Sequence, residues 1–329
     1  MTTTLTQFVP RSGVVTMTDS SLVNDRQGRV ERSEKLAAIV LLVGGPGASE
    51  LASTGCSTLD LPLRTGWTVC DQWLGFVESI REIIGQPRVP VLFQIGCNQN
   101  LSSRTREKIR RVSNTELCSD ESTYRGLGGV LRDLSRRFTP EDDLLVFGTS
   151  QLITSSTETV AQELVKSAGD GVVWTHEGGR LAGGYRLSCQ LLAELSSRGY
   201  IDFKEQALPR LRAIGYLRTS GGQATVTRPI RTRAQYLAAV AAQLRDTSEN
   251  YTSYTNSGWD NTASLVGAGA AVSRKATVVG SVILEGARIN RHALVARSVI
   301  GRDAIVPAYS RVVDQVWPAR AKYPMRSRR

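Results

Sequence analysis

Between Val266 and Val312 an aliphatic residue returns at nearly every sixth position. The series is Val266, Val272, Val278, Ile283, Ile289, Val295, Ile300, Val306 and Val312, with two steps shortened to five and small residues or Gly commonly following. Few folds accept that rhythm. A half-buried strand repeats every second residue and a helix about every 3.6, so neither collects these positions on one face. A parallel β-helix does, because each turn of the coil stacks its aliphatic residue on the one below. The period predicts a left-handed parallel β-helix of hexapeptide repeats over 265–316.

Upstream the pattern changes. Short β-type runs at Leu36–Val43, Val89–Ile95, Asp143–Phe147 and Gly171–His176 alternate with helical stripes. Val69, Trp73, Phe76, Ile80 and Ile83 form one stripe, and Leu127, Val130, Leu131 and Leu134 another, with further helices expected at Thr157–Ser167 and Thr232–Leu244. Strands alternating with helices predict an α/β, Rossmann-like sandwich around a mostly parallel sheet. The expected organisation is a polar, disordered tail over 1–35, an α/β domain over 36–246 and a Ser/Thr/Asn/Tyr-rich linker over 247–264. The β-helix follows over 265–316, then a basic tail over 317–329.

The inventory excludes several chemistries. Five cysteines, widely scattered and with no C-x-x-C pair, suggest neither a disulfide framework nor a zinc site, so reduced and partly buried thiols are expected. The two histidines, His176 and His292, are isolated, which leaves no Ser-His-Asp triad and no histidine metal site. No apolar run approaches the length of a membrane span and the first 35 residues lack an apolar signal core, so the cytoplasm is the expected compartment. Nine of the eleven excess positive charges fall from Val266 onward, where twelve Arg or Lys face only Glu285, Asp303 and Asp314. No aromatic-stacking motif accompanies them, so nucleic acid is not an expected partner; a solvated tail and an acidic protein partner are the two readings of that charge.

Leu36 to Gly47 reads L-A-A-I-V-L-L-V-G-G-P-G, an apolar strand running into a glycine-rich loop. Gly44, Gly45 and Gly47 let the backbone turn sharply and bring N–H groups close to an anion. The dinucleotide pattern G-x-G-x-x-G does not fit, and no Gly-Lys-Ser/Thr follows as a Walker loop requires. A phosphate loop and a tight turn without a ligand both remain open on these residues alone.

Further stretches extend the pattern: Leu61-Pro62-Leu63, Tyr124-Arg125-Gly126-Leu127-Gly128-Gly129-Val130-Leu131, Asp143–Gly148, Ala182-Gly183-Gly184-Tyr185, and Ile201–Gln206 with Leu208-Pro209. In this order, with the glycine loop before and the hexapeptides after, the chain resembles the sugar-phosphate nucleotidyltransferases, particularly the mannose-1-phosphate guanylyltransferase and glucose-1-phosphate adenylyltransferase branches. The likeness covers about Leu36 to Trp317. It implies the GT-A type of nucleotidyltransferase sandwich. It also implies nucleotide contacts at Gly44, Gly45, Gly47, Gly126, Gly128 and Gly129, and sugar-side contacts at Gly183, Gly184 and Glu205. Such enzymes join a nucleoside triphosphate to a sugar 1-phosphate, and neutralising two polyanions requires Mg²⁺ and cationic side chains.

Four positions depart from that family. Ser49 stands where the family's loop carries an Arg, and Thr58 where it carries a Lys. Thr149 and Pro229 stand where it carries the two metal-binding Asp residues. The resemblance therefore implies no catalytic residue and no metal ligand here, with Mg²⁺ expected only if displaced carboxylates such as Glu50, Asp60, Asp71 or Asp170 compensate. Three functions follow as expectations. The first is an inactive nucleotidyltransferase-like protein, either a nucleotide-sugar sensor or a non-catalytic subunit in a homo-oligomer or beside an active homologue. The second is an active pyrophosphorylase with displaced ligands. The third is a scaffold or anion-binding protein using the basic β-helix. Acyl transfer, which hexapeptide helices also support, needs a catalytic His, and only His292 lies on the repeat.

Overall fold

The computed structural model describes residues 35–44, 49–96, 100–119, 125–167, 171–176, 179–213, 217–221, 227–246 and 264–320. The tail expected over 1–35, except Lys35, the linker up to residue 263 and the basic end beyond Arg320 lie outside these residues.

Seven strands form the main sheet: β1 (Leu36–Val43), β2 (Val91–Ile95), β3 (Thr115–Ser119), β4 (Asp143–Gly148), β5 (Gly171–Thr175), β6 (Leu181–Ser188) and β7 (Leu217–Gly221). Their order is β7-β5-β6-β4-β1-β2-β3. Only β6 runs antiparallel to its neighbours; every other pairing is parallel. A sheet covered on both faces needs strands apolar on both faces, which is why β1 is an unbroken aliphatic run. Ile39, Leu41 and Val43 pack on one side with Trp73, Phe76 and Ile80 of α1 (Val69–Ile84). Ala38, Val40 and Leu42 pack on the other with Leu131 and Leu134 of a helix at Gly126–Ser135.

Local signals fix the helix ends. The Thr68 N–H and hydroxyl both donate to Asp71 at the start of α1, at 2.7 and 2.8 Å, and Gly85 closes the helix in a left-handed conformation with φ 70°. Helix α2 (Ser103–Arg111) begins on Ser102, whose hydroxyl accepts the Thr105 N–H. With α3 at Gly126–Ser135, the remaining long helix is α4 (Arg233–Asp246), whose Tyr236, Ala239, Val240 and Leu244 enter the α1 side of the core. The helix expected over Thr157–Ser167 is α-helical only to Val160 and then widens into a π turn at Ala161–Val165. Among the described residues no helix is long and apolar enough to cross a membrane. Cys70 and Cys189 are buried, Cys56 and Cys118 half-buried, and none of the four is in a disulfide, with burial pushing Cys56 up to about 11 and Cys70 and Cys189 up to about 12. Cys97 lies outside the described residues.

The C-terminal part is a parallel β-helix of three sheets. Leu265, Val282, Val299 and Val316 pair in succession, each seventeen residues from the last, and the same interval links Ala271, Arg288 and Ile305, and Thr277, Leu294 and Arg311. The nine aliphatic residues of the repeat all fall in its strands, and Val278, Ile283, Ile289, Val295, Ile300, Val306 and Val312 fill its interior. The two shortened steps fall on one corner, occupied by Ser281 and Ser298. The Ser281 N–H donates to Ser264 Oγ at 3.2 Å, the Ser298 N–H to Ser281 Oγ at 3.0 Å and the Gln315 N–H to Ser298 Oγ at 3.1 Å, a ladder that crosses every coil.

One β-helix sheet is closed off by the α/β part: Leu265, Val282, Leu284 and Val299 share an apolar cluster with α4 and Leu51. A short strap, Glu50–Thr54, lies between the two parts. The Arg302 N–H donates to Thr54 O at 3.0 Å and the Ala319 N–H to Ser53 O at 2.8 Å.

Candidate functional site

In an open parallel sheet, ligands bind beyond the carboxyl ends of strands where the connections diverge to opposite sides. Here that point lies between β1 and β4, since the chain leaves β1 toward β2 and β3 on one side and β4 adds on the other. The strand ends there are Gly44 and Gly148. Gly44 adopts φ 86°, left-handed backbone that a side chain disfavours, as the entry to the glycine loop requires. Gly148 has open space where a Cβ would point. Gly45 and Gly47 lie outside the described residues.

Three of the four departing positions are assembled at this point. Ser49 leaves the glycine loop and donates its hydroxyl to Arg231 O at 2.9 Å, while the Glu50 N–H donates to the same carbonyl at 3.2 Å. Thr149 is fully buried, and its N–H and hydroxyl both donate to Leu42 O at 3.0 Å. It closes the seam between β1 and β4, and its full burial keeps its oxygen from a ligand. Pro229 pairs with Gln151 in a two-stranded antiparallel ribbon of Gln151–Ile153 and Thr227–Pro229, and the next N–H, of Ile230, donates to Ser150 O at 3.0 Å. Thr58 stands apart, opening the 3-10 turn Thr58–Asp60.

The carboxylates that could compensate are engaged elsewhere. Asp60, buried, accepts from Ser57 Oγ, the Ser102 N–H and Oγ, and Thr105 Oγ1, and so anchors the start of α2. Asp71 caps α1 and pairs with Lys108 at 2.6 Å. Glu50 accepts the Arg233 N–H at the start of α4 at 2.8 Å, and Asp170 lies outside the described residues. Among the described residues no group of three or more His, Cys, Asp or Glu side chains is placed to hold a metal. A hard divalent cation requires several free oxygen donors. Thr149 is fully buried and uncharged, Pro229 offers no side-chain oxygen, and Ser150 Oγ accepts from a cation as described next. These residues do not fit Mg²⁺.

The charged group that does converge on the strand ends is a cation. Arg231 donates from Nε to Ser150 Oγ at 3.1 Å. Burial pushes the Tyr185 phenol up to about 12, and the Arg231 guanidinium pulls against that rise, so its charge is felt on the neighbouring strand β6. Sequence reasoning passes over Arg231 because Pro229 draws attention only to the carboxylate that position lacks. The signal was the Arg two residues further on.

The other expected site residues lie around this point or away from it. Gly183, with φ 82°, is one; a Cβ there would meet the Gln151 side chain at 2.9 Å, which puts it beside the ribbon. A Cβ on Gly184 would strike Trp174 at 2.9 Å and Phe147 at 3.0 Å, so its smallness serves packing. Gly126, Gly128 and Gly129 begin α3 on the opposite face of the sheet. A Cβ on Gly126 would collide with the Ile201 carbonyl and one on Gly128 with Ile201 Cγ2 at 2.7 Å, and the Gly128 N–H already donates to Ile201 O at 3.0 Å. A Cβ on Gly129 would press on Arg125 at 3.2 Å. Glu205 is exposed on the turn after Asp202, which accepts its N–H at 2.8 Å.

Comparison with known proteins agrees at the C-terminal end. Residues 253–320 match the family model of the GlmU-like C-terminal hexapeptide. Among solved structures, one described as a glucose-1-phosphate thymidylyltransferase of Bacillus anthracis in complex with sucrose is 10% identical, with a TM-score of 0.49, over 65% of this chain and 97% of that one. HddC of Yersinia pseudotuberculosis is 12% identical, with a TM-score of 0.46, over 63% and 99%. No curated protein sequence matches the chain. Over 253–320, the stretch that holds the β-helix, the chain is thus similar to the GlmU-like C-terminal hexapeptide.

Proposed function

We propose that this chain has given up nucleotidyl transfer and serves as a nucleotide-sugar sensor or as a non-catalytic subunit in an assembly of like chains. The observation that carries this is Thr149: at the position the resemblance assigns to a metal-binding Asp, the side chain is buried and its hydroxyl donates to Leu42 O. Removing a single charged group that acts in the transition state commonly costs about 3 kcal/mol, and here two metal ligands and two cations are replaced together. The cytoplasm is the compartment we assign, and the β-helix the module we assign to assembly.

The test is release of pyrophosphate from a nucleoside triphosphate and a hexose 1-phosphate in the presence of Mg²⁺. No turnover is expected, and none should return in the double variant Thr149→Asp/Pro229→Asp, because Ser49 and Thr58 still leave the triphosphate without its cations. Robust turnover that vanishes with chelator would falsify the proposal.

A further inference from the structure

We infer that Arg231 is a built-in cation that binds a phosphate group of a nucleotide, nucleotide sugar or pyrophosphate at the ends of β1 and β4 without any divalent metal. The inference rests on the non-catalytic reading above and names the chemistry of that same site.

The geometry holds the guanidinium in place from both ends. At its root, the Arg231 carbonyl accepts from Ser49 Oγ and from the Glu50 N–H, and the Arg231 N–H donates to Gln235 Oε1 at 3.1 Å. At its tip, Nε is committed to Ser150 Oγ. Arg231 is an exposed residue, and that bond uses only Nε, not the two terminal nitrogens, the pair that matches two phosphate oxygens. No carboxylate forms an ion pair with Arg231 among the described residues. A Cβ at Gly148, the strand end next to Thr149 and Ser150, would meet nothing within 4 Å. A metal would meet the positive charge of Arg231 here instead of carboxylates. One univalent fork attracts a polyphosphate less than a divalent ion does, and binding is therefore expected to weaken steeply with salt.

The experiment is calorimetric titration of the full chain with inorganic pyrophosphate and, separately, with a nucleoside diphosphate sugar, each in EDTA and in Mg²⁺. Expected is binding in EDTA that Mg²⁺ does not strengthen. It should fall at least tenfold in Arg231→Ala, partly recover in Arg231→Lys, which keeps the charge and loses the fork, and fall a few-fold in Ser150→Ala. Thermal unfolding of each variant checks that the fold is retained. Binding confined to the Mg²⁺ buffer overturns the inference and leaves a non-catalytic binder standing. Unchanged affinity of folded Arg231→Ala in EDTA, or no binding of either ligand, overturns it as well. Pyrophosphate alone binding would assign the site to free phosphate, and nucleotide sugar alone to the conjugate; both keep Arg231 as the anchor. Failure of the underlying reading shows separately, as chelator-sensitive turnover.

Discussion

Ser298 concentrates three interactions in one buried hydroxyl. It donates to Ala296 O at 2.8 Å, lies 3.2 Å from Val312 O, and accepts the Gln315 N–H of the next rung at 3.1 Å. With Ala in its place the Gln315 N–H would lose its partner while the Ala296 carbonyl keeps the Asp314 N–H, and one orphaned group costs about 1–3 kcal/mol. Ser298→Ala should therefore lower stability in urea unfolding by about 1–3 kcal/mol, whereas an exposed serine such as Ser196 changed to Ala should shift it little; equal, negligible shifts would show the ladder to be energetically idle. The aliphatic rhythm announced the coil but not this ladder, because Ser264, Ser281 and Ser298 sit off the six-residue period and become a column only once the five-residue corner sets the seventeen-residue turn. Thr149 and Arg231 illustrate the same limit at the site. A sequence shows which group is missing, while which neighbouring group has taken its place depends on strands brought together from eighty residues apart.

At the scale of elements, α1 and α2 are joined by Asp71, which caps the first and pairs with Lys108 of the second at 2.6–2.7 Å. Burial alone would raise the Asp71 pKa; the Lys108 ammonium and the Thr68 N–H and hydroxyl outweigh it and hold the carboxyl below its ordinary value. A depressed carboxyl contributes stability that is fully present above the unfolded pKa of about 4 and is lost as pH falls through the folded value. Wild type should thus exceed Asp71→Asn in stability by a constant margin near neutrality, and the margin should shrink below about pH 4. A margin independent of pH would remove the ion pair from the account. Elements buried on both faces or along a broad stripe were legible: β1 falls on Leu36–Val43 as expected, and α1 spans its apolar stripe. Helix α2 was not, since only Thr105 and Ile109 are buried among six charged residues, and β3 was not, being an edge strand with no fully buried residue. Strand β6 was legible as a motif before it was legible as a strand, because glycines at 183 and 184 dilute its apolar pattern.

For the whole molecule, one β-helix sheet shares the apolar cluster of the α/β part, and among the described residues the other two supply none of its buried members. Their outward column Ala271, Arg288, Ile305 ends near Tyr309, which stacks on His292 at 4.9 Å between ring centroids; Ile305 and Tyr309 are 40% and 67% exposed. If this module carries assembly, Ala287→Asp should break it, since Ala287 is fully buried inside the coil and a carboxylate there has no partner. Ile305→Lys should weaken association without unfolding the chain. Light scattering after size exclusion reads both; a monomer before and after either change would assign the β-helix a purely intramolecular role.

The seventeen-residue coil also sets the step in which this chain can change length. A single residue inserted or deleted within a strand between Leu265 and Trp317 would break that strand's pairing with the rungs above and below, so changes that keep every rung in register come as whole coils. Even that freedom is limited, because the strap at Ser53 and Thr54 docks on backbone at Ala319 and Arg302, in successive rungs. Losing one coil would carry its landing points away, and gaining one would be harmless only beyond Arg320. The strap thus makes the number of coils, and not only their sequence, a fixed dimension of the molecule.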